Sequence, residues 1–119
     1  MISDNLKLTG NLTIAVNNEI VQETKNLVVT AGKNFVASRM KDTSKAAMTH
    51  MAVGTGTTAA AAGNTTLVSE TDRNALTSTT VTNNEIAYVA TWAAGDATAA
   101  LTEAGIFNAS SGGDMLCRT

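Results

Sequence analysis

The chain has 119 residues, 44% of them hydrophobic and 15% charged, and carries a formal net charge of −2. That length supports one domain with a modest core, and the scattered placement of only eight basic residues lacks the electropositive stripe that nucleic-acid binding demands. No apolar run reaches the length of a bilayer span, and residues 1–5 have neither the basic nor the apolar region of a secretory leader, which predicts synthesis in a cytoplasm and no membrane association.

Prolines are absent, threonines are abundant, and the large side chains reduce to Trp92, Tyr88, Phe35 and Phe107 beside a few aliphatics. Thr is β-branched and strand-favouring, so the composition predicts twisted sheet joined by polar turns, with a core of small pieces. In residues 6–16, Leu6, Leu8, Leu12, Ile14 and Val16 fall on even positions between polar neighbours, the period of a half-buried strand. Gly10 interrupts the inward set and predicts a bulge or a close approach there. Asn17-Asn18 tolerates the positive φ of a tight hairpin turn, and residues 19–25 return as the partner strand.

After Leu27, Val28 and Val29, the residues Phe35, Val36 and Met40 recur at helical spacing opposite Lys33, Asn34, Ser38, Arg39 and Lys41. One short amphipathic helix is expected over about 31–41, N-capped by Thr30. Residues 48–53 read as a strand, followed by a long loop of small residues through Asn64. Residues 67–73 read as an ordered connector, with Glu70 and Arg73 forming a structural ion pair. A second hairpin turns at Asn83-Asn84 between residues 75–82 and 85–92, placing Ile86, Tyr88, Ala90 and Trp92 on one face. Two further strands are expected, over 101–108 and 115–119.

The expected fold is therefore mainly β, a single antiparallel β-sandwich domain over 1–119 with one short packed α-helix. The last strand pattern has no return partner, which predicts either that one or more C-terminal strands are lacking or that a neighbouring subunit covers its edge. The candidate assembly contacts are Leu6, Leu8 and Leu12 in the first hairpin and Met115, Leu116 and Cys117 at the last strand.

No convergent reactive set is visible in the sequence. His50 is the sole histidine and Cys117 the sole cysteine, whereas nucleophilic catalysis and N/S metal sites need several such groups together. Gly54-Thr55-Gly56-Thr57-Thr58 lacks the Lys-Ser/Thr pair of a phosphate-binding loop and reads as a flexible surface loop. The acidic residues Glu70, Asp72, Asp96, Glu103 and Asp114 are spread singly. No catalytic residue, metal ligand or cofactor is assigned, and the chain is expected not to be an enzyme.

Three stretches carry a resemblance: residues 26–40 with Thr30-Ala31-Gly32, residues 51–58 with Gly54-Thr55-Gly56, and Thr102-Glu103-Ala104-Gly105-Ile106-Phe107-Asn108. With Leu67, Glu70 and Arg73 as an L-x-x-E-x-x-R connector, they resemble, in order, small tailed-phage structural proteins of the tail-collar and tail-fibre group. The resemblance runs from residue 26 onward. It implies a non-enzymatic virion protein on the particle exterior, with copies of itself and major capsid or tail proteins as partners. In that group the pattern usually continues past the last strand seen here, and no fibre shaft follows. A capsid decoration or cement subunit is accordingly the first expectation, and a tail, collar or fibre-attachment subunit the second. A carbohydrate-binding adhesin for host surfaces is the alternative from another class, although the loops over 54–64 and 108–114 hold no aromatic residue to stack on a sugar.

Overall fold

The structure is a computed structural model that describes residues 7–41 and 45–119. In chain order the elements are β1 (Gly10–Val16), β2 (Glu19–Val28), α1 (Thr30–Lys41), β3 (His50–Gly54), β4 (Glu70–Ala75), β5 (Ser78–Thr82), β6 (Glu85–Val89), β7 (Glu103–Phe107) and β8 (Met115–Arg118). Every strand pairing is antiparallel. Six strands form one sheet in the order β1-β2-β8-β7-β3-β4, and β5 and β6 form a two-stranded sheet of their own. The fold is thus mainly β with one helix, and its two layers are unequal, the smaller one being a single hairpin.

The first hairpin turns where expected. Asn17 and Asn18 take φ of 51° and 66°, the positive values that match a tight turn to the twist of its strands. The bulge lies between Ile14 and Ala15, leaving Val21 without an opposite residue. At Gly10 the missing side chain instead makes room for the Asn26 carboxamide. Leu8 and Leu12 are half-buried, while Leu6 lies outside the described residues. Further out the hairpin departs from the half-buried reading, since Ile14, Val16, Ile20 and Val21 are 37%, 54%, 64% and 59% exposed. The reason is topological. Only Leu27 and Val28 of β2 join β8, so among the described residues no other element packs beneath the distal ribbon.

Helix α1 begins at Thr30, whose backbone N–H donates to the Ala62 carbonyl at 2.8 Å, so a loop carbonyl takes up one orphan amide of the first turn. Phe35 is buried and Val36 packs beside it, which ties the helix to the sheet. Gly32 sits against the backbone of Leu116. It is therefore a packing requirement here, although glycine is a poor helix former.

The core lies on both faces of the large sheet. On one face Val29, Ala52, Leu67, Phe107 and Met115 cluster. On the other, Phe35, Met48, Met51, Ile106 and Cys117 cluster, and Tyr88, Ala90 and Trp92 of the second hairpin region pack over them. Ile86, expected on that same buried face, is 49% exposed because it lies at the far end of the hairpin.

Three sequence expectations are corrected. Residues 67–73 are not merely a connector, because Glu70 to Arg73 begin β4, an edge strand paired with β3. The strand expected over 75–82 is broken at Leu76 and Thr77, where the chain leaves the large sheet for the small one. Most consequentially, the last strand is no open edge. β8 is inserted between β2 and β7, so Met115 and Cys117 are core residues, 0% and 6% exposed, and are not assembly contacts. Leu116 between them is half-buried, and its backbone is covered by Gly32.

The close contact at Gly32 yields a test. Ala at position 32 gains about 1 kcal/mol of helix propensity, but its Cβ would meet the Leu116 carbonyl, a backbone group held in the sheet. Overpacking of that kind costs about 1–3 kcal/mol. Gly32→Ala is expected to lower stability in urea denaturation, and a variant as stable as the wild type would show that α1 does not need its close approach to β8.

Candidate functional site

The most organised polar arrangement in the fold is built on Glu103 and Arg118. β7 is buried along its whole length, and β8 beside it pairs Gly105 with Arg118. Glu103 is 4% exposed and Arg118 1%. Two charges so deeply placed must be paired and hydrogen-bonded, or the desolvation cost is prohibitive.

Both are fully occupied. The Glu103 carboxylate accepts from the backbone N–H groups of Gly56 (2.9 Å), Ser69 (2.6 Å) and Val68 (2.9 Å), and from Arg118 Nε (3.2 Å) and Nη2 (3.0 Å). Arg118 Nη2 also donates to the Thr58 carbonyl at 2.7 Å, while Nη1 donates to the Ala59 carbonyl at 3.3 Å and to Asn64 Oδ1 at 2.9 Å. All five N–H donors of the guanidinium thereby have acceptors. Burial pushes the Glu103 carboxyl upward, but the Ser69, Val68 and Gly56 amides and Arg118 outweigh it and hold the group below its ordinary value.

This pair holds the stretch from Thr55 to Ser69 at Gly56, Thr58, Ala59, Asn64, Val68 and Ser69. Thr55 donates its backbone N–H to the Ser69 carbonyl at 2.9 Å, and Thr102 Oγ1 donates to the Gly56 carbonyl at 2.8 Å. A side chain at Gly54 or Gly56 would collide with Glu103 and with Ser69 or Val68. The two glycines are therefore required by close approach to a carboxylate. The reading of residues 54–58 as a surface loop is corrected at Gly54 and Gly56, which are buried, while Thr57 and Thr58 are exposed.

Arg73 organises a second loop. Glu70 accepts from it in bidentate fashion, Nε to Oε2 at 3.0 Å and Nη2 to Oε1 at 2.6 Å. Its Nη1 donates to the carbonyls of Ala109 and Gly112 at 3.0 and 2.9 Å, and the guanidinium carbon lies 3.8 Å from the centroid of the Phe107 ring. The Glu70–Arg73 pair is thus present and reaches further than a local ion pair. It anchors residues 109–112 onto β4 and covers Phe107. Gly112 and Gly113 supply positive φ of 60° and 76° for that loop.

The solitary reactive residues stay apart. His50 Nδ1 lies 2.8 Å from Thr49 Oγ1 on β3. Cys117 is buried, and burial raises its thiol to about 11. Among the described residues no three His, Cys, Asp or Glu side chains gather as a metal site, and no helix is long and apolar enough to cross a membrane. A groove of about 310 Å³ between α1 and the second hairpin is lined by Phe35, Val36, Met48, Ile86 and Tyr88, with Arg39 alongside.

The stretches 51–58 and 102–108 and the connector from Leu67 therefore meet in one place, while residues 26–40 reach it only through Val29 in the core. Gly56, Leu67, Glu70, Arg73, Glu103 and Phe107 are joined through the two arginines and the core beneath them. Arg118 and Asn64 complete this assembly, and sequence reasoning did not single either out for it. The available signal for Arg118 was a lone cation ending a short strand of apolar and sulfur-bearing residues. No protein-family model matches the chain, and no curated protein or solved structure matches it.

Removing one partner of a buried, hydrogen-bonded ion pair costs about 3–5 kcal/mol. Glu103→Gln is expected to lose stability in that range at neutral pH. Because the folded carboxyl is held below its unfolded value of 4.5, its ionisation stabilises the fold above that pH and the contribution fades as pH falls through the folded value. Urea titrations from neutral to acid pH should show the gap between wild type and Glu103→Gln narrowing below 4.5. A gap that stays constant would mean that the charge of Glu103 contributes nothing.

Proposed function

We propose that this chain is a non-catalytic structural subunit of a tailed-phage particle, placed on the capsid exterior as a decoration protein that bridges neighbouring capsomers. The observation that carries the reading is the convergence just described. The resembling stretches at 51–58 and 102–108 and the connector over 67–73 build one frame, closed by Arg118 from outside them, in which Glu103, Arg118, Glu70 and Arg73 hold loops. Charged groups used in this way have no free valence for chemistry.

The frame leaves side chains for contact elsewhere. Ile14, Val16, Ile20 and Val21 on the first hairpin and Val81, Ile86 and Val89 on the second are exposed. Apolar residues displayed on projecting hairpins suit a protein whose work is to be gripped by its neighbours. The capsid and tail proteins of the same particle are the proposed partners.

A tail, collar or fibre-attachment subunit is the second reading, favoured by the kind of protein resembled. Quantitative mass spectrometry of purified particles separates the two. Decoration predicts hundreds of copies in an integral ratio to the major capsid protein. A few to a few dozen copies would assign the chain to the tail, and absence from the particle would overturn both readings.

A further inference from the structure

The free edges of the two sheets are not alike. β4 carries Glu70, Asp72 and Arg73, and its side chains are engaged, Trp92 Nε1 donating to Asp72 at 2.9 Å and Asn74 donating to the Thr91 carbonyl at 2.9 Å. β2 carries Glu19, Glu23 and Lys25, and β6 begins with Glu85. Charges along an edge are the usual protection against pairing with another chain.

β1 has no such protection. Its residues, Gly10, Asn11, Leu12, Thr13, Ile14, Ala15 and Val16, include no charge and no proline, and among the described residues it pairs with β2 alone. About half of its N–H and C=O groups point away from β2. β5 is uncharged too, but it is two residues shorter and has Val81 as its only large apolar residue.

We propose that β1 pairs with β1 of a second copy of this chain, antiparallel about a two-fold axis through Thr13 and perpendicular to the sheet. The register follows from the strand itself. Thr13 faces its counterpart, Leu12 faces Ile14, Asn11 faces Ala15 and Gly10 faces Val16. Every opposed pair has the same parity, so the even-numbered aliphatic residues of both copies stay on one face and the sheet continues without exchanging its sides. The strand is neutral, so no like charges are set opposite one another. Because both copies use the same edge, the contact closes at two and does not propagate into a filament.

The pairing follows from the edge alone and is independent of whether the chain belongs to a particle. It leaves the second hairpin and the α1 groove free for other partners.

Two measurements on the isolated protein test it. Sedimentation equilibrium over micromolar concentrations should give a dimer, and Ile14→Lys, at a position already partly exposed, should give a folded monomer. Under mild oxidation Thr13→Cys should form a disulfide-linked dimer, since opposed residues in an antiparallel pair lie about 4.5–5.5 Å apart. Ala15→Cys should not, because its counterpart lies roughly 14 Å away at about 3.4 Å per residue. The native thiol does not interfere, being buried and protonated. A wild-type chain that remains monomeric, a dimer unaffected by Ile14→Lys, or equal cross-linking at positions 13 and 15 would each overturn the proposal. Failure here would not touch the copy number in particles, and an unexpected copy number would not touch the dimer.

Discussion

Glu103 is an anion placed inside a sheet, and the arrangement of the rest of the protein answers that fact. A carboxylate at this depth requires several donors. Three come from the backbone at Gly56, Val68 and Ser69 and two from Arg118. Arg118 in turn needs acceptors, and it takes them from Thr58, Ala59 and Asn64. A segment with little apolar surface of its own is thereby folded by polar contacts. Replacing both charges by hydrocarbons, which is often harmless for a buried pair, would here take the partners from three amide donors and from the Thr58 and Ala59 carbonyls.

Elements with a strong local period were legible from the sequence. The first hairpin, its Asn17-Asn18 turn, helix α1 and the Tyr88-Ala90-Trp92 face were visible because alternation, turn chemistry and helical spacing act over a few residues. β4 was missed as a strand because Glu70-Thr71-Asp72-Arg73-Asn74-Ala75 holds the residue types that strands disfavour. It is nonetheless a strand, since Glu70 and Arg73 pair with each other, Asp72 accepts from Trp92 and Asn74 donates to the Thr91 carbonyl while its backbone pairs with β3. The central position of β8 was not visible either. Nothing local distinguishes a strand that ends a sequence from one that is threaded between two others.

The candidate site was legible only in part. Glu70 and Arg73 are three residues apart, and their pairing could be read from spacing. Glu103 and Arg118 belong to different strands and come together through the β7–β8 register, so their residue types alone gave no reason to join them. The exposed outer half of the first hairpin shows the converse limit. Its alternating pattern implied a buried face, yet tertiary placement left that face in solvent.

The threading of β8 also governs the order in which this protein can become folded. Leu27 and Val28 find their partners only in Arg118 and Cys117, and the anion at Glu103 finds its cation in the same short strand. The first hairpin pairs locally, but its junction with the main sheet, the seating of Gly32 on Leu116 and the loop held by Arg118 all depend on residues about 90 positions after β2. Pairings this distant in sequence slow folding, because loop closure precedes any reward in contacts. Until β8 inserts, the nascent chain keeps β2 and β7 unpaired along the same seam. The two halves of the large sheet are therefore joined by β8 alone, and a chain without Met115–Arg118 would have a gap through the middle of that sheet.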